Sequence, residues 1–279
     1  MVKSEYIKWL KSDKQVITAF SLICLYMYVL EPIKKYSMDF GEPINVIEPF
    51  IIFLSNGFCM PIILMTFTVL MIDFPDISGN STFLLIRTGR AKWYKSQIMF
   101  VVVSAVSFVL LLLIFSILLM ADKAFSANIW SNVERLMNNF QYVQLRNQYP
   151  LSVLDLSVIN NFNVITATIY AIILNILHLI FTAQFQMTLS LRFNKMIGLC
   201  GNLLVIGLGL ISWAGDNRFK WLLPLSHSTI GWHYDELYNK TQFPILSSLF
   251  YMVAINIFVY VAGKKVIQKK MLTLLSQGG

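Results

Sequence analysis

Residues 50–121 read FIIFLSNGFCMPIILMTFTVLMI (50–72), DFPDISGNSTFLLIRTGRAKWYKSQ (73–97) and IMFVVVSAVSFVLLLLIFSILLMA (98–121). Two apolar runs flank one compact segment with four basic residues and a short apolar patch of its own. Each run exceeds the roughly 20 residues that a helix needs to cross a bilayer at about 1.5 Å per residue. The whole chain agrees. Of its 279 residues 57% are hydrophobic and only 13% charged, and 21 are Phe, with a mean hydropathy of +0.65. A soluble domain keeps about 25% of its residues charged. The fold class expected is an all-α polytopic membrane protein, and a single water-soluble core is excluded.

Six candidate spans emerge, at about 16–34, 50–72, 98–121, 164–190, 197–213 and 245–262. The first and fifth have short uninterrupted apolar stretches and need tilt or extra turns from their flanks. The first, VITAFSLICLYMYVL (16–30), is followed by EPIKKY rather than by a small-residue cleavage site, so it reads as a span and not as a signal peptide. Cys24, Cys59 and Cys200 all lie inside apolar runs and read as small packed hydrophobes, not as a disulfide framework.

Lysine and arginine set the expected orientation. With the N-terminus inside, segments 1–15, 73–97, 191–196 and 263–279 hold fourteen of the 22 basic residues, and the outer segments hold ten of the 14 acids. The net charge of +8 is therefore a topology signal and no nucleic-acid footprint. Both termini are expected in the cytoplasm, with KKVIQKKM (264–271) beside anionic headgroups. The expected layout is one transmembrane domain over 1–279. It has an interfacial helix at 1–15, where Val2, Tyr6 and Leu10 share a face with Trp9 near it, and a cytoplasmic loop at 73–97. Its outer loops are 122–163 and 214–244. Ile129, Val133, Leu136 and Phe140 recur at helical spacing within the first outer loop.

In the segment 73–97, Gly79 and Asn80 form a turn, Ser81 or Thr82 can cap a helix start, and Phe83, Leu84, Leu85 and Ile86 make one apolar helical turn. Arg87, Gly89, Arg90 and Lys92 give it a positive base, before the interfacial pair Trp93 and Tyr94. Such a knob suits docking of a soluble partner. An ordinary inner loop would also carry basic residues and a boundary aromatic.

The N-terminal amphipathic helix, the six spans and STFLLIRTGRAKWYKSQI (81–98) together make the chain resemble a membrane subunit of the type-2 ABC exporter permeases. The resemblance covers nearly the whole chain in layout, through weak motifs. It implies a coupling helix within 80–94, involving Phe83, Leu84, Leu85, Ile86, Arg87 and Arg90. An acid usual near the start of that loop has only Asp73 or Asp76 to fill it. The resemblance also implies an outer segment, WLLPLSHSTIGWHYDELY (221–238), that partly re-enters the membrane before the last span. A bacterial plasma-membrane setting and a second permease chain, identical or related, belong to the same expectation.

No GxxxxGK[ST] occurs, so this chain itself is expected to carry neither cofactor nor enzymatic activity; separate soluble ABC ATPase subunits would bind ATP and Mg. HSTIGWHYDE (227–236) is the most reactive-looking stretch, but it lacks the HExxH spacing of a zinc site. A gate built from Trp221, Pro224, His227, Trp232 and His233 is the reading favoured over plain loop packing. Pro224 and Gly231 would break the segment, LSHSTI would dip into the membrane edge, and Asp235 and Glu236 would stay in water. In the fourth span Asn175, His178, Gln184 and Gln186 either bond to neighbouring helices or line a pathway; Asn175, His178 and Gln184 are the lining candidates. Gly198, Gly201, Gly207 and Gly209 suit close helix approach in the fifth. Spans two to six hold no carboxylate, which argues against a proton-driven pump. Their uncharged, aromatic-rich interior suits an amphipathic or apolar cargo such as an antimicrobial peptide, a lipid or a drug. A non-transport sensor or scaffold is the second reading, and a membrane-embedded hydrolase the third.

Overall fold

The computed structural model describes residues 2–75, 87–122, 124–133, 154–215, 218–235 and 240–277. Five helices are long and apolar enough to cross a membrane, or six spans if one sharply bent pair counts as one. The chain is a mostly helical polytopic membrane protein. Its outward faces carry bare hydrocarbon, with Phe250 76% and Phe258 72% exposed, as a lipid-facing surface would be.

Helix α1 (Val2–Leu10) lies along one end of the third span. Tyr6 donates to Ser107 Oγ (2.7 Å), Gln97 donates to Glu5 Oε1 (2.8 Å), and Trp9 meets Phe100 edge-on. The inward face is therefore Val2, Glu5, Tyr6 and Trp9, while Leu10 is exposed, which shifts the expected apolar stripe by part of a turn.

The first span runs from Gln15 to Asp39, longer than its apolar stretch. Helices α2 (Gln15–Leu25) and α3 (Glu31–Phe40) are joined by a π turn over Tyr26–Leu30, where Glu31 N donates to Tyr26 O. The widened turn admits Pro32, which has no N–H to give and would crowd a regular helix. The EPIKKY stretch (31–36), where the expected span ended at about residue 34, is helical throughout, and Lys34 reaches Asp122 at 3.0 Å. The helix stops where Gly41 takes a left-handed φ of 66°.

The second span departs most from its expected form. The run 50–72 is not one helix: α4 (Glu48–Ser55) and α5 (Cys59–Leu70) meet at 75°. All eight residues of α4 are buried, the polar Glu48 and Ser55 at its two ends included.

The remaining spans follow their apolar runs more closely. Helix α6 (Arg90–Met120) begins inside the expected loop. A short helix, α7 (Leu156–Asn161), precedes α8 (Val164–Arg192), which Asn163 caps by accepting from Thr166 N. Asn194 caps α9 (Lys195–Ala214) in the same way, through Ile197 N. Then come a 3₁₀ turn (Arg218–Leu222), α10 (Pro224–Ser228), a second 3₁₀ turn (Ile230–His233) and α11 (Ile245–Gln277). Helix α11 carries the basic 264–271 stretch as a continuation of the last span. One small exception to the all-α expectation is a parallel pair of two-residue strands, β1 (Ile44–Asn45) and β2 (Ala124–Phe125).

Helix α8 is the central post, packing on α11, α9, α6, both halves of the broken span and α10. Three of its neighbour's four glycines let α9 come close: an added Cβ would press on Ser190 at Gly198, on Leu189 at Gly201 and on Leu225 at Gly209. Gly207 meets nothing and plays no such part.

Candidate functional site

The polar groups at the end opposite α1 converge on the break in the second span. Asn56 ends α4 in an extended conformation, and its Oδ1 accepts from Phe58 N (2.8 Å) and Cys59 N (3.4 Å) to start α5. In an unbroken helix Phe58 N would serve Leu54 O. Here Leu54 O takes Asn175 Nδ2 instead, at 3.2 Å. The same amide lies 2.9 Å from Ala171 O and 3.4 Å from Ser228 O, so it ties α8 to the break and to α10. One turn on, His178 Nδ1 lies 2.8 Å from Ser228 Oγ, whose hydroxyl donates to Leu225 O (2.8 Å).

Aromatic rings make a second link. The indole of Trp213, on α9, lies over Gly57, where an added Cβ would stand 3.1 Å from it, and stacks on Trp232 at 4.9 Å. A side chain at position 57 would displace it. The break, the end of α9 and the segment 221–235 therefore form one packed unit.

That segment is broken where Pro224 starts α10 and again around Gly231, whose Cα lies under the Asp155 carboxylate. Residues 224–231 are all buried. Trp221 stacks on Phe243 (4.6 Å) and borders His227 (5.5 Å) and His233 (5.4 Å). His227 stacks on Tyr251 at 3.9 Å, and Tyr251 donates to Leu222 O (2.6 Å). Burial pushes both imidazoles down to about 4, against the opposing pull of the backbone carbonyls that they face. Asp235 is half-buried rather than in open water, and the bridge Tyr234–Thr241 closes the segment. Glu236 lies outside the described residues.

The five candidate gate residues, Trp221, Pro224, His227, Trp232 and His233, thus share one segment, and Asn175 and His178 face it. Gln184 does not. It stands six residues beyond His178, about 240° round the helix, and its buried Oε1 has no partner. The polar line continues instead through Thr182 and Gln186: Asn202 Nδ2 reaches Thr182 O (3.3 Å), Gln186 Oε1 (3.3 Å) and Thr68 Oγ1 (3.1 Å). Among the described residues no cluster of His, Cys, Asp and Glu suits a metal ion.

At the other end, the feet of the 73–97 segment are braced. Asp73, just past α5, pairs with Lys14 between α1 and α2 and lies 4.0 Å from Lys195 at the start of α9. Arg90 donates to Gln268 O on α11 (3.2 Å), and Tyr94 to Tyr260 O (3.0 Å). Phe83, Leu84, Leu85 and Ile86 lie outside the described residues, as do Leu136 and Phe140; Arg87 is exposed.

Several contributors were unmarked by composition. The Asn56–Gly57 pair was a legible turn signal inside an apolar run, but Trp213, Ser248 (2.8 Å from both His227 and His233) and the Glu48 carboxylate that accepts from Ser131 carry no local signature. No family model, curated protein or solved structure matches this chain.

Proposed function

We propose that the chain is the permease subunit of an ATP-driven exporter that moves a hydrophobic or amphipathic substrate, and that two such halves, identical or related, enclose the path. The observation that carries this reading is the bracing of the 73–97 segment. One foot is clasped to the α1–α2 junction and to α9 through Asp73, and the other to α11 through Arg90. A soluble subunit pressing on this segment would move four helices together. Broken spans are tolerated where their backbone is buried in protein or lines a cavity, and in transporters such breaks mark substrate sites. The break beside Asn175 and His178, roofed by the segment 221–235, fits a gate of this kind. ATP and Mg then belong to the partner ATPase, and the re-entrant lid, the cytoplasmic termini and the bacterial plasma membrane belong to the same proposal.

The test is reconstitution with a candidate soluble ATPase subunit, to be sought among the coding sequences next to that of this chain. ATP turnover by that subunit should change when this chain is added, and Leu84→Asp with Leu85→Asp should reduce its capture at least several-fold while the permease stays in the membrane. A membrane protein that neither captures such a subunit nor alters its turnover would point to the sensor or scaffold reading.

A further inference from the structure

Two serine hydroxyls meet histidine rings in this part of the molecule, and they differ in proton count. At Ser228 the hydroxyl donates to Leu225 O, so His178 Nδ1, 2.8 Å away, donates to Ser228 Oγ. Each contact there has one hydrogen. Ser248, in the first turn of α11, lies 2.8 Å from His227 Nδ1 and 2.8 Å from His233 Nε2. The far nitrogen of each ring faces only carbonyl oxygens. His227 Nε2 is 2.7 Å from Trp221 O, and His233 Nδ1 is 3.0 Å from Thr229 O and 3.2 Å from Ile230 O. A carbonyl only accepts, so both far nitrogens carry hydrogens. In neutral rings the two near nitrogens are then bare, and the single hydroxyl hydrogen of Ser248 cannot serve both. Either ring in its other tautomer would turn a bare nitrogen onto a carbonyl. With both rings neutral, one short buried contact has two acceptors and no hydrogen.

We propose that His227, Ser248 and His233 form a binding site for one proton, shared between the two rings through the serine. With that proton one imidazole donates to Ser248 Oγ, Ser248 donates to the other ring, and every contact is met. The pair titrates as a unit.

The surroundings suit a cation in one place and restrict it to one. The face of Tyr251 stacks on His227 (3.9 Å), with Phe243 (5.2 Å) and Trp221 (5.5 Å) inclined beside it, and a stacked aromatic face attracts an imidazolium. A second proton would put two positive rings on one serine. Of the other titratable groups packed around the site, Asp155 against Gly231 and Asp235 beyond Tyr234 favour a positive charge. Lys220, 5.7 Å from the Trp221 ring, opposes it, while His178 on α8 is held to Ser228 and the Tyr251 and Tyr234 rings bring phenols. Because the rings sit on the segment 221–235 and the serine on α11, proton uptake fastens that segment to the last span. The site stands on this geometry alone and does not need the exporter reading.

The experiment is an NMR titration, from pH 8 to 4, of the full chain in lipid nanodiscs with ¹³C,¹⁵N-labelled histidine. His227 and His233 are expected to respond together, with one midpoint and one proton between them. Their proton affinity should be at least tenfold higher than that of His227 in His233→Phe, where Ser248 serves a single ring. Ser248→Ala should separate the two titrations. Independent midpoints in the wild-type protein, unchanged in the single variants, would overturn the proposal, as would the absence of either titration above pH 4. If His233→Phe fails to fold, the common midpoint and the proton count of the wild-type protein decide alone.

Discussion

Asn175 offers the sharpest check on the idea that the broken span is held open by its neighbours. Its amide has two hydrogens for three carbonyls, and the two shorter contacts are Ala171 O (2.9 Å) and Leu54 O (3.2 Å). The first lies within its own helix, where the backbone already satisfies the carbonyl. The second is the one that matters, since Phe58 N is committed to Asn56 Oδ1. Asn175→Leu nearly conserves volume and removes the donor. Hydrogen bonds between membrane helices average about 0.6 kcal/mol and reach about 1.7 kcal/mol. A carbonyl left unmet in a dry interior costs about 1–3 kcal/mol. A loss of about 1–2 kcal/mol is expected, with the weaker contact to Ser228 O adding little.

Reversible unfolding in bicelles or mixed micelles would measure it. The refinement is a double-mutant cycle with Asn56→Ala, which frees Phe58 N to serve Leu54 O and lets the break close toward a regular helix. The double variant should therefore be more stable than the sum of the two single losses, by at least about 0.5 kcal/mol. Strict additivity, or a change below about 0.3 kcal/mol for Asn175→Leu alone, would refute the claim that Leu54 O depends on this amide.

Two further outcomes concern the buried ionisable groups. Glu48, 1% exposed at the start of α4, accepts from Ser131 N (2.5 Å) and Ser131 Oγ (2.6 Å), so Glu48→Ala should cost about 1–3 kcal/mol in the same unfolding assay. For the histidines, burial holds the folded rings of His227 and His233 near 4 while unfolded rings titrate near 6.5. Their folded affinity for protons is the lower one, so stability is full above pH 6.5 and falls as pH drops from 6.5 toward 4. The loss is on the order of 3 kcal/mol from the ring that stays neutral and less from the ring that takes the shared proton. Unfolding free energies measured at pH 7.5, 6, 5 and 4 should show that fall, and His227→Phe combined with His233→Phe should flatten it.

The architecture was legible wherever an apolar run had clean punctuation. Asn163 and Asn194 cap α8 and α9 as single residues before apolar runs; α8 starts where it is expected and α9 two residues earlier. The break in the segment 221–235 was legible because Pro224 suits only the first turn of a helix and Gly231 weakens a helix interior. Run length misled at the first two spans. It missed the π turn that carries α3 past Pro32, and it read through Asn56–Gly57 because apolar residues lie on both sides. Pairings across the fold were invisible for a different reason. Ser248 is one of two adjacent serines, and its importance lies in two rings 15 and 21 residues away in the chain. The polar line on α8 was half legible. Asn175, His178, Thr182 and Gln186 share a face at spacings of three, four and four, whereas Gln184 falls off it by its helical angle alone.

The two ends of the molecule are joined by α5, and this bears on how the proposed coupling would travel. Helix α5 is 12 residues long, about 18 Å, and runs from the break to the foot of the 73–97 segment. Its far end begins under Asn56 and next to Gly57, which Trp213 and, through it, Trp232 cover. Its near end leads into Asp73, paired with Lys14. A continuous second span would resist such a lever along its whole length. The break confines bending to Asn56, Gly57 and Phe58, and the contacts that hold it can be exchanged: Phe58 N on the Asn56 side chain, Gly57 under an indole, and the freed Leu54 O on Asn175. On the exporter reading, a push at Asp73 would therefore reach the gate as a rotation of α5 about Asn56. The residues that set the cost of that rotation would be the same ones that seat Trp232 and Ser228.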